Sequence, residues 1–114
     1  MKFGNWESAV VAKDDAGKLS GAVDLGRPYG SLAVIIPTID SASVTIHVSD
    51  TSDGTYRAIY YISTNDGDDD AAITTAGTGG ITVVFPFFGF QHLKIVVGAT
   101  QTTAAVTFKV RGFN

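Results

Sequence analysis

Asn65-Asp66-Gly67-Asp68-Asp69-Asp70 sets four carboxylates within five residues. Carboxylate oxygens held this close are the hard ligands that Ca²⁺ takes. The spacing is not that of an EF-hand loop, which needs glycine at its sixth position and glutamate at its twelfth. The reading adopted is a solvated hairpin loop without a bound metal, whose acids aid solubility and blunt a strand edge. His47 and His92, the two histidines of the chain, each fall mid-strand on a polar face. Acid–base or nucleophilic work by such a pair needs an orienting carboxylate and a nucleophile within hydrogen-bond reach. No pattern in the sequence supplies them, and Gly-x-Ser-x-Gly, P-loop and His-Glu-x-x-His signatures are all missing. Ser, Thr and Asp are abundant but cluster in turns, where backbone capping accounts for them. The chemistry legible here is that of binding or assembly, with no catalytic residue and no cofactor.

Aromatic and basic residues carry that reading. Phe85-Pro86-Phe87-Phe88-Gly89-Phe90 packs four rings into six residues. Pro86 cannot donate to a ladder, so the run bends or lies at an edge. Successive side chains point opposite ways in extended backbone, so of Phe87 and Phe88 one ring faces inward and the other outward. Phe3 and Trp6 are the sizeable apolar anchors of the first seven residues. Arg57, Lys94, Lys109 and Arg111 project from strand faces otherwise filled by Thr and His, as a solvated face or as a basic stripe that docks on an acidic surface. The candidate interface residues are therefore Phe3, Trp6, Phe87, Phe88, Phe90, Lys109 and Arg111.

The elements that must position them follow a period of two. Val44, Ile46 and Val48 alternate with Thr45 and His47; Leu93, Ile95 and Val97 with His92, Lys94 and Val96; Val106, Phe108 and Val110 with Thr107, Lys109 and Arg111. Thr55–Ser63 alternates in the same way, and these stretches predict half-buried antiparallel strands. Leu32–Ile36 and Ile81–Phe85 are continuously apolar, which suits strands covered on both faces or lying at an interface. Ala9–Lys13 and Ala22–Leu25 are weaker strands. Asp14-Asp15-Ala16-Gly17, Ser52-Asp53-Gly54, Asn65-Asp66-Gly67 and Thr78-Gly79-Gly80 are turn formers. The sum is an all-β fold, an antiparallel β-sandwich or jelly roll of about eight strands with almost no helix. Residues 1–7 form an N-terminal arm and 8–114 a single domain.

Composition sets the outer limits. A chain of 114 residues with 45% apolar and 17% charged side chains has room for one core and buries roughly 65% of its unfolded surface. The lack of cysteine removes disulfides, thiolate chemistry and Cys-based metal sites together. A net charge of −3 argues against duplex nucleic acid as the main partner, because phosphate neutralisation supplies most non-specific affinity. No stretch reaches the ~18 apolar residues of a membrane span. Met1–Glu7 lacks the apolar run of a signal peptide, so synthesis in the cytoplasm is the expectation.

Through Ile36-Pro37-Thr38-Ile39-Asp40-Ser41-Ala42-Ser43-Val44, Gly79-Gly80, Phe85-Pro86-Phe87-Phe88-Gly89, Ala99-Thr100-Gln101-Thr102 and Phe108-Lys109-Val110-Arg111-Gly112-Phe113, the chain resembles small β-sandwich structural proteins of tailed-phage virions. The resemblance spans residues 20–113 and implies a capsid decoration or cement protein, made in the host cytoplasm and carried on the particle. Its implied partners are the major capsid protein or other virion proteins, with homo-oligomers, trimers among them, as the common form. A neck or tail component is the alternative within that class, and a carbohydrate-binding jelly-roll module the alternative outside it. For the acidic turn, added Ca²⁺ is expected to leave the thermal midpoint almost unchanged. A native-state site at a hundredfold excess over Kd would add about 2.7 kcal/mol, several degrees for a domain of this size. A chelator-reversible rise of that kind would restore the calcium reading.

Overall fold

The computed structural model describes residues 2–62, 69–71 and 73–114, with side chains described outside 60–75. It is all-β, and no helix occurs among the described residues. The strands are β1 (Glu7–Val11), β2 (Val23–Ser49), β3 (Arg57–Ala58), β4 (Tyr60–Ile62), β5 (Asp69–Ala71), β6 (Ile73–Val97) and β7 (Val106–Phe113). Five of them make one antiparallel sheet in the order β1-β7-β2-β3, with β6 also on β2; β4 and β5 pair separately.

Two strands are far longer than the periodicity implies. β2 has 27 residues and β6 has 25, and they pair along almost their whole length. Val23 and Val48, at opposite ends of β2, both pair with Leu93, and Asp24 and Ser49 both pair with His92. The ends of β2 therefore flank one stretch of β6. A flat strand cannot do this, so the sheet curls into a half-barrel around the core. The bends come at register shifts, between Asp24 and Ser31 and between Thr38 and Val44 of β2. The expectation of about eight separate strands is corrected accordingly. Leu32–Ile36 and all of Ser43–Asp50 but its last residue belong to one strand, as do Ile81–Phe85 and His92–Val97. The ladder continues on both sides of the irregular stretches that separate them, 38–42 in β2 and 87–89 in β6, as bulges allow. Thr78-Gly79-Gly80 likewise does not reverse the chain: it lies within β6, with φ near +79° and +76° at the two glycines, and the register with β2 runs unbroken from Ser31 to Thr38.

Alternation fills the concave side. Leu32, Val34, Ile36, Val44, Ile46, Leu93, Ile95, Val97, Phe108 and Val110 are all buried, as their period-two positions require. The continuously apolar stretches turn out to be covered on one face only. In β2, Ile35 points away from the core, and in β6 Val84 is 62% exposed. At the start of the chain, Gly4 N–H donates to the Gly112 carbonyl at 2.9 Å, and Asn114 N–H to the Lys2 carbonyl at 2.8 Å. The segment read as an arm thus runs beside β7 in the single chain.

Asp40 in the bend of β2 and Gln101 in the loop before β7 join these two segments. The buried Gln101 accepts from Asp40 N–H at 2.8 Å and donates to the Asp40 and Ala99 carbonyls. The Asp40 carboxylate accepts the N–H groups of Thr102 and Thr103 at 2.7 and 3.0 Å, and both threonine hydroxyls. These bonds satisfy backbone groups that the bulge leaves without ladder partners.

Gly79 and Gly80 separate two reasons for glycine. Both have left-handed backbone, but a Cβ on Gly79 would strike the Pro37 carbonyl, whereas one on Gly80 meets open space. Gly80→Ala is expected to destabilise by about 1–2 kcal/mol from the backbone alone. Gly79→Ala should cost at least twice that in urea titrations, and equal losses would show that close strand approach is not what fixes Gly79.

Candidate binding surfaces

On the convex face of the sheet, the outward positions of β7 are Thr107, Lys109 and Arg111. Register places Arg111 beside Ala33, and Ala33 beside Val84. In the next row Ser8, Lys109, Ile35 and Thr82 lie side by side. Lys109 Nζ donates to Ser8 Oγ at 2.7 Å. Phe3 bridges Phe113. Its ring and that of Trp6 both lie against the Arg111 guanidinium, with centroids 4.7 and 4.6 Å from Cζ. Each such contact contributes about 0.5–1 kcal/mol at an exposed site, and together they fix a side chain that is otherwise among the most mobile. The Arg111 Nε is buried without a hydrogen-bond partner. Phe3 is 60% and Trp6 39% exposed, so the two rings lie open on the same face as exposed Val10, Ile35 and Val84, with the half-buried Arg111 against them.

The aromatic run divides. Phe87 is wholly buried, which corrects its place among the interface candidates: it is a core residue and offers no surface. Phe90 is half-buried, packed edge-to-face on Phe87 at 6.3 Å and 66°. Phe88 is 57% exposed. Tyr29 pairs with Phe90 and Ser31 with Pro86, so residues 87–89 oppose Gly30 alone. The bulge is made by left-handed backbone at Phe88 (φ 54°) and Gly89 (φ 87°). Exposed Phe88 borders a groove of about 420 Å³, formed with Val48, Ser49 and Asp50 from the end of β2, and Thr55, Arg57 and Ile59 from the segment around β3.

His47 and His92 lie on the same face of the sheet, one diagonal step apart in the register. His47 pairs with Lys94 and Ala58. His92 Nδ1 is buried and without a hydrogen bond, 3.9 Å from Asp24 Oδ1. Asp24 instead accepts from Gln91 and from Gly26 N–H. Lys94 lies over the Tyr56 ring at 4.8 Å. Arg57 takes a place on the groove and not on the basic face of Lys109 and Arg111. Among the described residues, no group of three or more His, Asp or Glu side chains is arranged to hold a metal ion. Asp66 and Asp68 of the acidic turn lie outside the described residues, and Asp69 and Asp70 belong to β5. No helix of the described residues is long and apolar enough to cross a membrane.

Comparison with known proteins locates the fold. No family model matches the chain, and no curated protein matches it in sequence. Among solved structures, the SPBc2 prophage-derived protein YomS superposes with a TM-score of 0.51 at 16% identity, over 95% of this chain and 94% of that one. CBM32-1 from a family 31 glycoside hydrolase of Clostridium perfringens superposes with a TM-score of 0.56 at 14% identity, over 94% and 76% of the two chains. The likeness is one of fold.

Sequence reasoning found Phe3, Trp6 and Arg111 separately but not their contact, since the register of β1 against β7 joins residues about a hundred positions apart. It missed the left-handed backbone at Phe88, for which the following Gly89 was the available signal. It also missed Asp40 and Gln101, which no motif marks.

Titration separates two parts of the fold. Hydrogen bonds from Thr103 and Thr102 hold the Asp40 carboxyl below its ordinary value, and those from Gln91 and Gly26 do the same for Asp24. Burial lowers His47 below 6.5. All three folded values are depressed, so in each window the unfolded chain binds more protons and stability rises with pH. The His47 contribution is present above about pH 6.5 and lost as pH falls through its folded value. The carboxylate contributions persist until pH falls below about 4. Thermal midpoints are expected to drop in two steps on acidification, and His47→Gln should remove the first and spare the second.

Proposed function

We propose that this chain is a non-catalytic structural protein of a tailed-phage particle, a capsid decoration or cement protein that docks on the major capsid protein or another virion protein. One observation carries the reading: the convex face presents Trp6, Phe3 and a pre-positioned Arg111 among uncovered Ile35, Val84 and Val10. Aromatic rings and arginine are the side chains that dominate binding energy when a partner covers them. Lys109 and Arg111 give this face a positive charge within a chain of net charge −3, which favours an acidic partner surface and sets its register. The fold likeness to a prophage-derived protein of nearly the same extent supports the reading, as does the sequence resemblance. A neck or tail position is served by the same face.

The groove beside Phe88, with the fold likeness to CBM32-1, favours a second reading as a carbohydrate-binding module. The two readings use different surfaces.

Particles assembled with Trp6→Ala or Arg111→Ala protein are expected to carry at least tenfold fewer copies than those with the parent protein, measured by sedimentation and gel densitometry. The thermal midpoint of each isolated variant should fall by only a few degrees, as the loss of one or two exposed cation–π contacts implies. Undiminished occupancy for both variants would remove the convex face from the proposal.

A further inference from the structure

Among the described residues, Phe88 has a placement that both backbone and solvent oppose. Its φ of 54° is a conformation in which a bulky side chain is a genuine outlier, and which glycine or asparagine adopts without strain. Its ring is exposed, so no core packing repays that strain. Residues held so cluster at functional sites. The bulge is what brings the ring here: Phe87 turns into the core, Phe90 packs on Phe87, and Phe88 stands on this rigid base beside the groove.

Beside the ring the groove is lined by polar groups of complementary kinds. Arg57 brings donors only, Asp50 acceptors only, and Thr55 a hydroxyl that serves as either. Val48 and Ile59 add apolar lining. One cation and one anion leave this wall without net charge. A volume of about 420 Å³ is at the small end of ligand sites. A neutral hexopyranose has the matching chemistry: a face of C–H bonds that packs on an aromatic ring, and a rim of hydroxyls that each donate and accept.

We infer that the Phe88 groove binds one neutral hexopyranose unit of a glycan, stacked on the Phe88 ring and hydrogen-bonded by Arg57 and Asp50. The inference rests on the carbohydrate-binding reading and gives it a site. It is compatible with docking through the convex face, which uses none of these residues.

The test uses the full chain, ¹⁵N-labelled, titrated with the methyl glycosides of glucose, galactose, mannose, N-acetylglucosamine and N-acetylgalactosamine. At least one is expected to shift the amide signals of residues 48–50, 55–59 and 88–90, with a millimolar Kd. Phe88→Gly should weaken that binding at least tenfold while leaving the thermal midpoint unchanged or higher, because the strain is relieved. Arg57→Gln carries the same expectation for binding should Phe88→Gly fail to fold. Shifts confined to another surface, or binding that survives both substitutions, would overturn the groove assignment and leave the carbohydrate reading standing. No shift with any of the five sugars would overturn both.

Discussion

Pairing of β2 with β6 joins Val23 to Leu93, Leu32 to Phe85, Thr38 to Gly79 and Ser49 to His92, and the rest of the structure depends on how that ladder bends. Two strands of this length would form a flat, twisted ribbon with no interior. Irregularities at Asp24–Ser31 and Thr38–Val44 fold the ribbon on itself, so that side chains from separated stretches of the same two strands meet as one core. The bend at Thr38–Val44 is held within the ladder by Gly79 lying close against Pro37, and from outside it by the Asp40 and Gln101 hydrogen bonds to the loop before β7. Each candidate binding surface is a by-product of this bending. The convex face is the outer side of the flattest stretch, where β1, β7, β2 and β6 run together. The groove opens where the bulge at 87–89 throws a ring outward beside the end of β2.

How much of this the sequence holds depends on the range of the interaction. Alternation is a property of neighbours, so Val44, Ile46 and Val48, and Val106, Phe108 and Val110, declare their buried face without any knowledge of the fold. Strand ends are harder to read. Gly79-Gly80 carries the same composition as a chain-reversing turn, and only the partner strand decides whether the backbone reverses or continues in the ladder. The single-sided cover of Ile35 and Val84 is likewise invisible, since a continuous apolar run is the same string whether its second face meets a core or water. Of the candidate surfaces, the residue types were legible and the groupings were not. Arg57 and Arg111 look alike in the sequence, yet one borders the groove and the other lies between Phe3 and Trp6.

A bent ladder also explains why aromatic residues serve such different ends within one short run. Phe85 and Phe87 fill the core, Phe90 braces Phe87, and Phe88 faces water. In a regular strand Phe88 and Phe90 would share a face and Phe87 the other. The bulge breaks that alternation and lets a single segment supply both the filling and the rim.

The order of strands in the sheet has a consequence for how the molecule is made. β7, the strand that follows all the others in the chain, lies between β1 and β2, pairing Ser8 with Lys109 on one side and Ile35 with Lys109 on the other. A nascent chain that has released β1 and β2 cannot bring them together, because the strand that joins them is still unmade. Nearly all ladder contacts in this protein are also distant in sequence, the feature that slows folding most. Until β7 arrives, the pairing edges of β1 and β2 and the apolar faces behind them stand open, and this is the interval in which such a chain is most exposed to mispairing with another copy of itself.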